Sequence, residues 1–170
     1  LGLAAEALLK TTGLAYEGKP GSWAGGQRAV AAYMDSLGVN PSEFNIDDGG
    51  GLSRKNMLSA NALLQVLNGV YNSSGWDMFD RSLAVGGIDG TIGRYFGQDK
   101  YQGQVRGKTG YIRGVKSFTG VCRAADRDYL FAAIANDANG RTRAALNDIA
   151  KAIIDEYGRR EDVQVASVSR

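Results

Sequence analysis

The sequence contains no histidine, and that one absence removes more chemistry than any other feature of its composition. Ser-His-Asp and Cys-His catalysis are excluded, as are histidine-ligated metal centres. A hydrolase built from these residues must take lysine, a carboxylate or tyrosine as its base. Cysteine is nearly absent too: Cys122 stands alone, which rules out an internal disulfide and a multi-cysteine zinc cluster. A single thiol does not decide between a reducing and an oxidising compartment. Excess charge is also missing. The formal net charge is +2, and the basic residues are scattered apart from Arg159-Arg160 and a few near Lys108, so nucleic acid is not an expected partner. No apolar run approaches the roughly 20 residues that a membrane-spanning helix needs. The opening residues do not read as a signal peptide, so none is expected in this stretch, and there is no low-complexity block.

What is present is ordinary in bulk. The 170 residues are 44% hydrophobic and 22% charged, which suits one globular domain or a large part of one. Leu3 to Thr12 has the spacing of an amphipathic helix, and Gly13 is expected to stop it as a C-terminal cap. The chain opens inside that helix with no capping residue, so a truncated domain is expected. Ser22 is the expected N-cap of a second helix reaching Leu37, and Gly38 ends it. Asp47-Asp48-Gly49-Gly50-Gly51 is too glycine-rich for regular structure. Further helices are expected from Ser59 to Tyr71 and from Trp76 to Leu83, with another helical turn over Thr91 to Phe96.

Past residue 100 the character of the sequence changes. Gln104 to Gly110, Val115 to Arg123 and Tyr129 to Asn136 read as strands, the last two joined by a turn at residues 124–128. Arg141 to Tyr157 reads as a covering helix. Residues 1–100 are therefore mainly helical, 101–158 supply three strands and a helix, and 159–170 form a tail. Helices followed by an antiparallel meander make an α+β fold.

Lys108-Thr109-Gly110 ends the first of these strands. An ammonium beside a hydroxyl suits a carboxylate, and Gly110 leaves no side chain to obstruct a ligand lying along the strand edge. Two other readings compete. Gly103 to Thr109 nearly matches the phosphate loop G-x-x-x-x-G-K-S/T but is one residue short, and a β-rich run follows where a helix is required. A lysine on an edge strand also serves simply to deter aggregation.

The surrounding segments carry a resemblance. Asp48-Gly49-Gly50-Gly51-Leu52-Ser53-Arg54-Lys55-Asn56 resembles the D-G-S-G-L-S-R-x-N segment of D-alanyl-D-alanine carboxypeptidases of the penicillin-binding-protein-4 type. Gly87 to Ile92 resembles the G-x-D-G-T-L segment of that family. Gly107 to Gly120 resembles its A-K-T-G-T-L-x-G-V-x-x-L-S-G stretch, and Ala5 to Leu9 looks like the helix after its S-x-N motif. The blocks occur in the family's order.

The resemblance implies the C-terminal part of a β-lactamase/penicillin-binding-protein-like transpeptidase fold, acting on peptidoglycan stem peptides and acylated by β-lactams. It implies a periplasmic or cell-envelope location and neither a cofactor nor a metal. It also implies a role for each residue of the strand. Lys108 would set a positive potential and orient a catalytic serine, and Thr109 would bind the substrate's terminal carboxylate. Gly110 would permit close approach, and Tyr111 would offer its backbone N–H to the oxyanion.

The family's nucleophile and base, in S-x-x-K, are not found: no serine of this chain has lysine three residues later. Ser59-Ala60-Asn61 is the one S-x-N, and it stands after the D-G-x-G-L-S block rather than before the Ala5 helix. Ser59 therefore reads as a helix cap. An N-terminal segment of the same protein carrying S-x-x-K and S-x-N, either joined to this chain or a separate chain, is the implied partner. Asp48, Ser53, Arg54 and Asp89 are expected to brace loops. Cys122 is expected to be a small core residue, and Trp23 and Trp76 are expected to be packing anchors rather than ligand platforms. A non-catalytic peptidoglycan-recognising module and, more distantly, a nucleotide-binding protein remain as alternatives.

Overall fold

The structure is a computed structural model and describes residues 2–161. It divides into two compact units between Val66 and Leu67.

In the first unit, helix α1 spans Gly2–Glu17 and helix α2 spans Trp23–Ser36. The expected stop at Gly13 is corrected: α1 continues to Glu17 and yields to Gly18, whose φ of 66° suits a residue without a side chain. Gly13 has a different task. A Cβ placed on it would lie 2.4 Å from the Gly26 nitrogen, and one on Gly26 would lie 2.4 Å from the Leu9 carbonyl oxygen. The two glycines let α1 and α2 touch backbone to backbone. Glycine inside a helix costs about 1 kcal/mol relative to alanine, so Gly13→Ala in an unconstrained helix would stabilise. Here the contact atoms are main chain and cannot swing aside. Gly13→Ala is expected to destabilise this unit by about 1–3 kcal/mol in chemical denaturation. Gly2, where an added Cβ meets nothing within 4 Å, is the control; equal effects at both positions would contradict the packing account.

Ser22 caps α2 as its sequence predicts, its Oγ accepting from Gly25 N at 3.0 Å. A short β1 (Phe44–Asn45) pairs antiparallel with β2 (Met57–Leu58), and α3 (Ala60–Tyr71) follows. Ser59 caps α3 through Ala62 N at 2.8 Å, and with Asn61 it also binds the Glu43 carboxylate. Met34, Val39 and Ala62 form the small core, with Phe44 and Leu58 against them.

The glycine-rich loop between β1 and β2 is irregular but fully tied. Asp48 accepts from the backbone N–H of Gly51, Leu52 and Ser53 and from the Asn56 amide, three of the four at 2.7 Å. Glu6 on α1 reaches the same loop, taking Gly49 N at 3.1 Å and Gly50 N at 2.9 Å. It also accepts from the Trp23 indole at 2.9 Å. Trp23, expected as a packing anchor, packs at the surface: the residue is 51% exposed, with Lys10 Nζ 3.4 Å above its ring.

Both carboxyls titrate low. The Trp23 indole, then Gly50 and Gly49, hold Glu6 below the usual carboxylate range. For Asp48, burial pushes upward but the four hydrogen bonds together outweigh it. A depressed carboxyl contributes stability that is fully present above its unfolded value, about 4, and is lost as pH falls through the folded value. The loop is expected to hold at pH 5 and to release only below about pH 4. The Trp23 indole N–H resonance is the readout; a transition centred at or above the ordinary carboxylate pKa would contradict this ordering.

The second unit carries α4 (Trp76–Ser82) and a four-stranded antiparallel sheet in the order β3-β4-β5-β6. Its strands are β3 (Ala84–Val85), β4 (Val105–Ile112), β5 (Val115–Arg123) and β6 (Asp128–Asn136), followed by α5 (Thr142–Tyr157). The three long strands and the last helix match the sequence expectation within two residues. β3 was not expected. One face of the sheet builds the core with α5: Val105, Phe118, Cys122 and Phe131 pack with Leu146, Ala150 and Ile154. Phe118 meets Phe131 edge-on, centroids 4.8 Å apart. Cys122 is fully buried, as expected, and burial pushes its thiol up to about 12, so it is an inert filler. Trp76 packs edge-on against Tyr71 at 4.7 Å.

Asp89 braces the turn after β3, accepting from Val85 N at 2.6 Å. The helical turn expected over Thr91 to Phe96 is a shorter 3₁₀ turn at Gly90–Ile92. The tail also needs correction at its start. Arg159 bridges to Ala124, and Arg160 bonds Gln104, Ala124 and Asp128. Residues 162–170 lie outside the described residues.

Candidate active site

The Lys108-Thr109-Gly110 segment lies in the middle of β4, and its neighbours on the two sides differ. On one side β5 pairs with the whole of β4, from Val105↔Cys122 to Ile112↔Val115. On the other, β3 pairs only with Arg106 and Gly107. Among the described strands, the edge of β4 is open from Lys108 onward.

The strand's own period says which groups reach that edge. Alternate residues direct both backbone groups to the same side. Val105 O accepts from Gly86 N at 2.8 Å on the β3 side, so Gly107, Thr109 and Tyr111 point there as well. The Tyr111 N–H and the Thr109 carbonyl thus face the open edge, while those of Lys108 and Gly110 are directed at β5.

Side chains alternate in the other sense. Thr109 is cross-strand from Phe118 and Tyr111 from Lys116, so these face α5; Lys108 is cross-strand from Thr119 on the opposite face. The sequence reading of an ammonium and hydroxyl side by side is therefore refined. Thr109 is 9% exposed, Lys108 is exposed, and they leave the strand in opposite directions. They meet at the edge because Lys108 folds over, donating to the Thr109 carbonyl at 2.5 Å. Tyr111 is 72% exposed.

Glycines hold this strand close to its neighbour. A Cβ on Gly120 would fall 2.0 Å from the Arg106 carbonyl oxygen, and one on Gly107 2.6 Å from that of Thr119. Gly110 makes room for the Ser117 hydroxyl, which an added Cβ would approach to 2.3 Å.

Sequence reasoning passed over two contributors. Thr91 Oγ1 lies 2.7 Å from Thr109 Oγ1. If Thr91 donates, the proton of Thr109 is free for a ligand. Thr91 belongs to the Gly87–Ile92 segment, so a signal existed, but nothing in the sequence paired it with residue 109. Arg143, in the first turn of α5, donates to Gly110 O at 3.0 Å and to Ser117 O at 3.1 Å. It clamps β4 to β5 beside the open edge, and only the tertiary fold reveals this. Among the described residues no cluster of side chains could hold a metal ion, and no helix is long and apolar enough to cross a membrane.

The sequence model of the D-Ala-D-Ala carboxypeptidase 3 (S13) family matches residues 2–156. The chain belongs to that family. Within it, the chain is 28% identical over 172 aligned residues to a D-alanyl-D-alanine carboxypeptidase of an Actinomadura species, covering 98% of this chain and 32% of that protein. It is 33% identical over 97 residues to the penicillin-sensitive carboxypeptidase A of Dictyostelium discoideum, covering 56% of this chain and 19% of the relative. Among solved structures, penicillin-binding protein 4 of Haemophilus influenzae in complex with a β-lactam superposes with a TM-score of 0.77 at 24% identity. That match covers 94% of this chain and 39% of the other. The chain therefore has the mixed helix and antiparallel-sheet fold of the penicillin-binding-like proteins, in its C-terminal part. It spans at most about a third of the length of these two sequence relatives.

Proposed function

We propose that this S13-family chain forms the Lys-Thr-Gly wall of a serine-type D-alanyl-D-alanine carboxypeptidase or endopeptidase. It would work in the cell envelope on peptidoglycan stem peptides and be acylated by β-lactams. The observation that carries this reading is the open edge of β4. A peptide can add there as a further strand, using the Tyr111 N–H and the Thr109 carbonyl.

In this reading the substrate's terminal carboxylate accepts from the Thr109 hydroxyl, which Thr91 orients. The carbonyl under attack accepts from the Tyr111 N–H as its oxygen becomes negative. Lys108 supplies positive charge at the same edge, favouring the anionic substrate and the developing oxyanion. The nucleophile is a serine whose proton passes to a lysine, which needs no histidine. Both would come from an S-x-x-K segment on an N-terminal part of the same protein.

The 170-residue chain alone, mixed with a fluorescent penicillin, is then expected to remain unlabelled. A covalently labelled band at 18.1 kDa would sink the assignment of the nucleophile. A second reading, a module that binds stem peptides without cleaving them, is favoured by one fact: none of the eleven serines of this sequence opens an S-x-x-K. An S-x-x-K elsewhere in the same polypeptide, or its absence, separates the two.

A further inference from the structure

A cavity of about 320 Å³ opens beside Thr109 on the α5 side of the sheet, lined also by Thr91, Arg94, Tyr95, Tyr111, Lys116 and Arg143. Three of its walls are cationic and none is a carboxylate. Among the described residues, none of the three cations is paired with an acid. Arg143 is committed to two carbonyl oxygens, Gly110 and Ser117. Lys116 donates to the Asn139 carbonyl at 2.5 Å, and Arg94 lies over the Tyr95 ring at 4.9 Å. Burial lowers the pKa of Arg143, with Tyr95 opposing, which marks a cation partly stripped of water without a full counter-charge.

Like charges around one concavity focus a positive potential into it. The proposed reaction places one negative charge nearby, the terminal carboxylate at Thr109. Three cations exceed what that single charge requires. The volume lies at the lower end of the roughly 300–1,000 Å³ usual for ligand pockets, so it suits part of one residue rather than a whole peptide.

We infer that this cavity receives a second anionic group, carried by the side chain of the residue that leaves after the scissile bond. The inference rests on the reading of the β4 edge given above and adds a specificity to it. Leaving residues with a side-chain carboxylate are favoured over neutral residues of equal size. Arg94 and Lys116 supply the attraction, and Arg143 supplies charge while holding the two strands together.

Two N-acylated peptides test this, one ending in D-Ala-D-Glu and one in D-Ala-D-Gln, which match in size and differ in charge. With the full-length enzyme at low salt, kcat/KM for the D-Glu peptide is expected to be about tenfold the higher. Arg94→Gln together with Lys116→Gln is expected to bring the ratio near one, whereas Arg94→Lys retains most of the preference. Arg143 is left intact because its loss would disturb β4 itself. A ratio near one in the unmodified enzyme, or a preference that survives the double substitution, overturns the inference. Failure to cleave a D-Ala-D-Ala peptide at all would be a different failure: it would bring down the reading of the strand edge, and this inference with it.

Discussion

Replacing Lys108 with glutamine in the full-length enzyme is expected to slow acylation by penicillin about a hundredfold or more while leaving the fold intact. The side chain is exposed, lies on the sheet face away from α5 and, among the described residues, donates only to the neighbouring Thr109 carbonyl. Its removal therefore opens no cavity. What is lost is a positive charge at the open edge of β4, where the proposed reaction would develop negative charge. Removing one such stabilising donor typically costs a factor of about 10²–10³. Stopped-flow acylation reads the rate, and thermal unfolding without ligand reads the fold. A variant that acylates at the normal rate would return Lys108 to the plainer role of a charge protecting an edge strand. A variant that loses rate and stability together would make it a structural residue.

Gly120→Ala is expected to have the largest effect on stability. The added Cβ would lie 2.0 Å from the Arg106 carbonyl oxygen and 2.7 Å from the Gly107 Cα. Both are main-chain atoms of β4, so no rotamer change relieves the clash and β4 must shift away from β5. Overpacking usually costs 1–3 kcal/mol and sometimes more; with rigid partners we expect about 3 kcal/mol or above, a large part of the 5–15 kcal/mol that holds a typical domain. The displaced strand is the one bearing Lys108 and Thr109, so acylation of the surviving folded fraction falls as well. Denaturant titration beside the penicillin labelling rate would show this. Wild-type stability in Gly120→Ala would mean that the strands are not held at this spacing.

These effects also mark what the sequence could and could not show. The long strands were legible because they are runs rich in β-branched and aromatic residues bounded by turn segments; burial alternates along β4 from Val105 to Thr109, whereas Val121 and Cys122 of β5 are both buried. α5 was legible from its helical period. Gly13 was misread because a glycine at a helix end and one at a helix crossing look alike until the second helix is placed. β3 has two residues, too few for any period, yet its brevity is what leaves the edge of β4 open from Lys108. The strand residues were found by motif; their division between two faces follows from the pleat, and the return of the Lys108 ammonium to the edge needed coordinates. Thr91 and Arg143 act from 18 and 33 residues away along the chain, distances over which no local pattern links them to the strand.

The central claim is that this chain is one wall of a site whose nucleophile lies on another segment of the same protein. Labelling the full-length protein with penicillin and locating the acylated residue by mass spectrometry tests it most directly. The account predicts a single ester, on the serine of an S-x-x-K outside these 170 residues. Acylation of a serine within them, or no acylation at all, would contradict it.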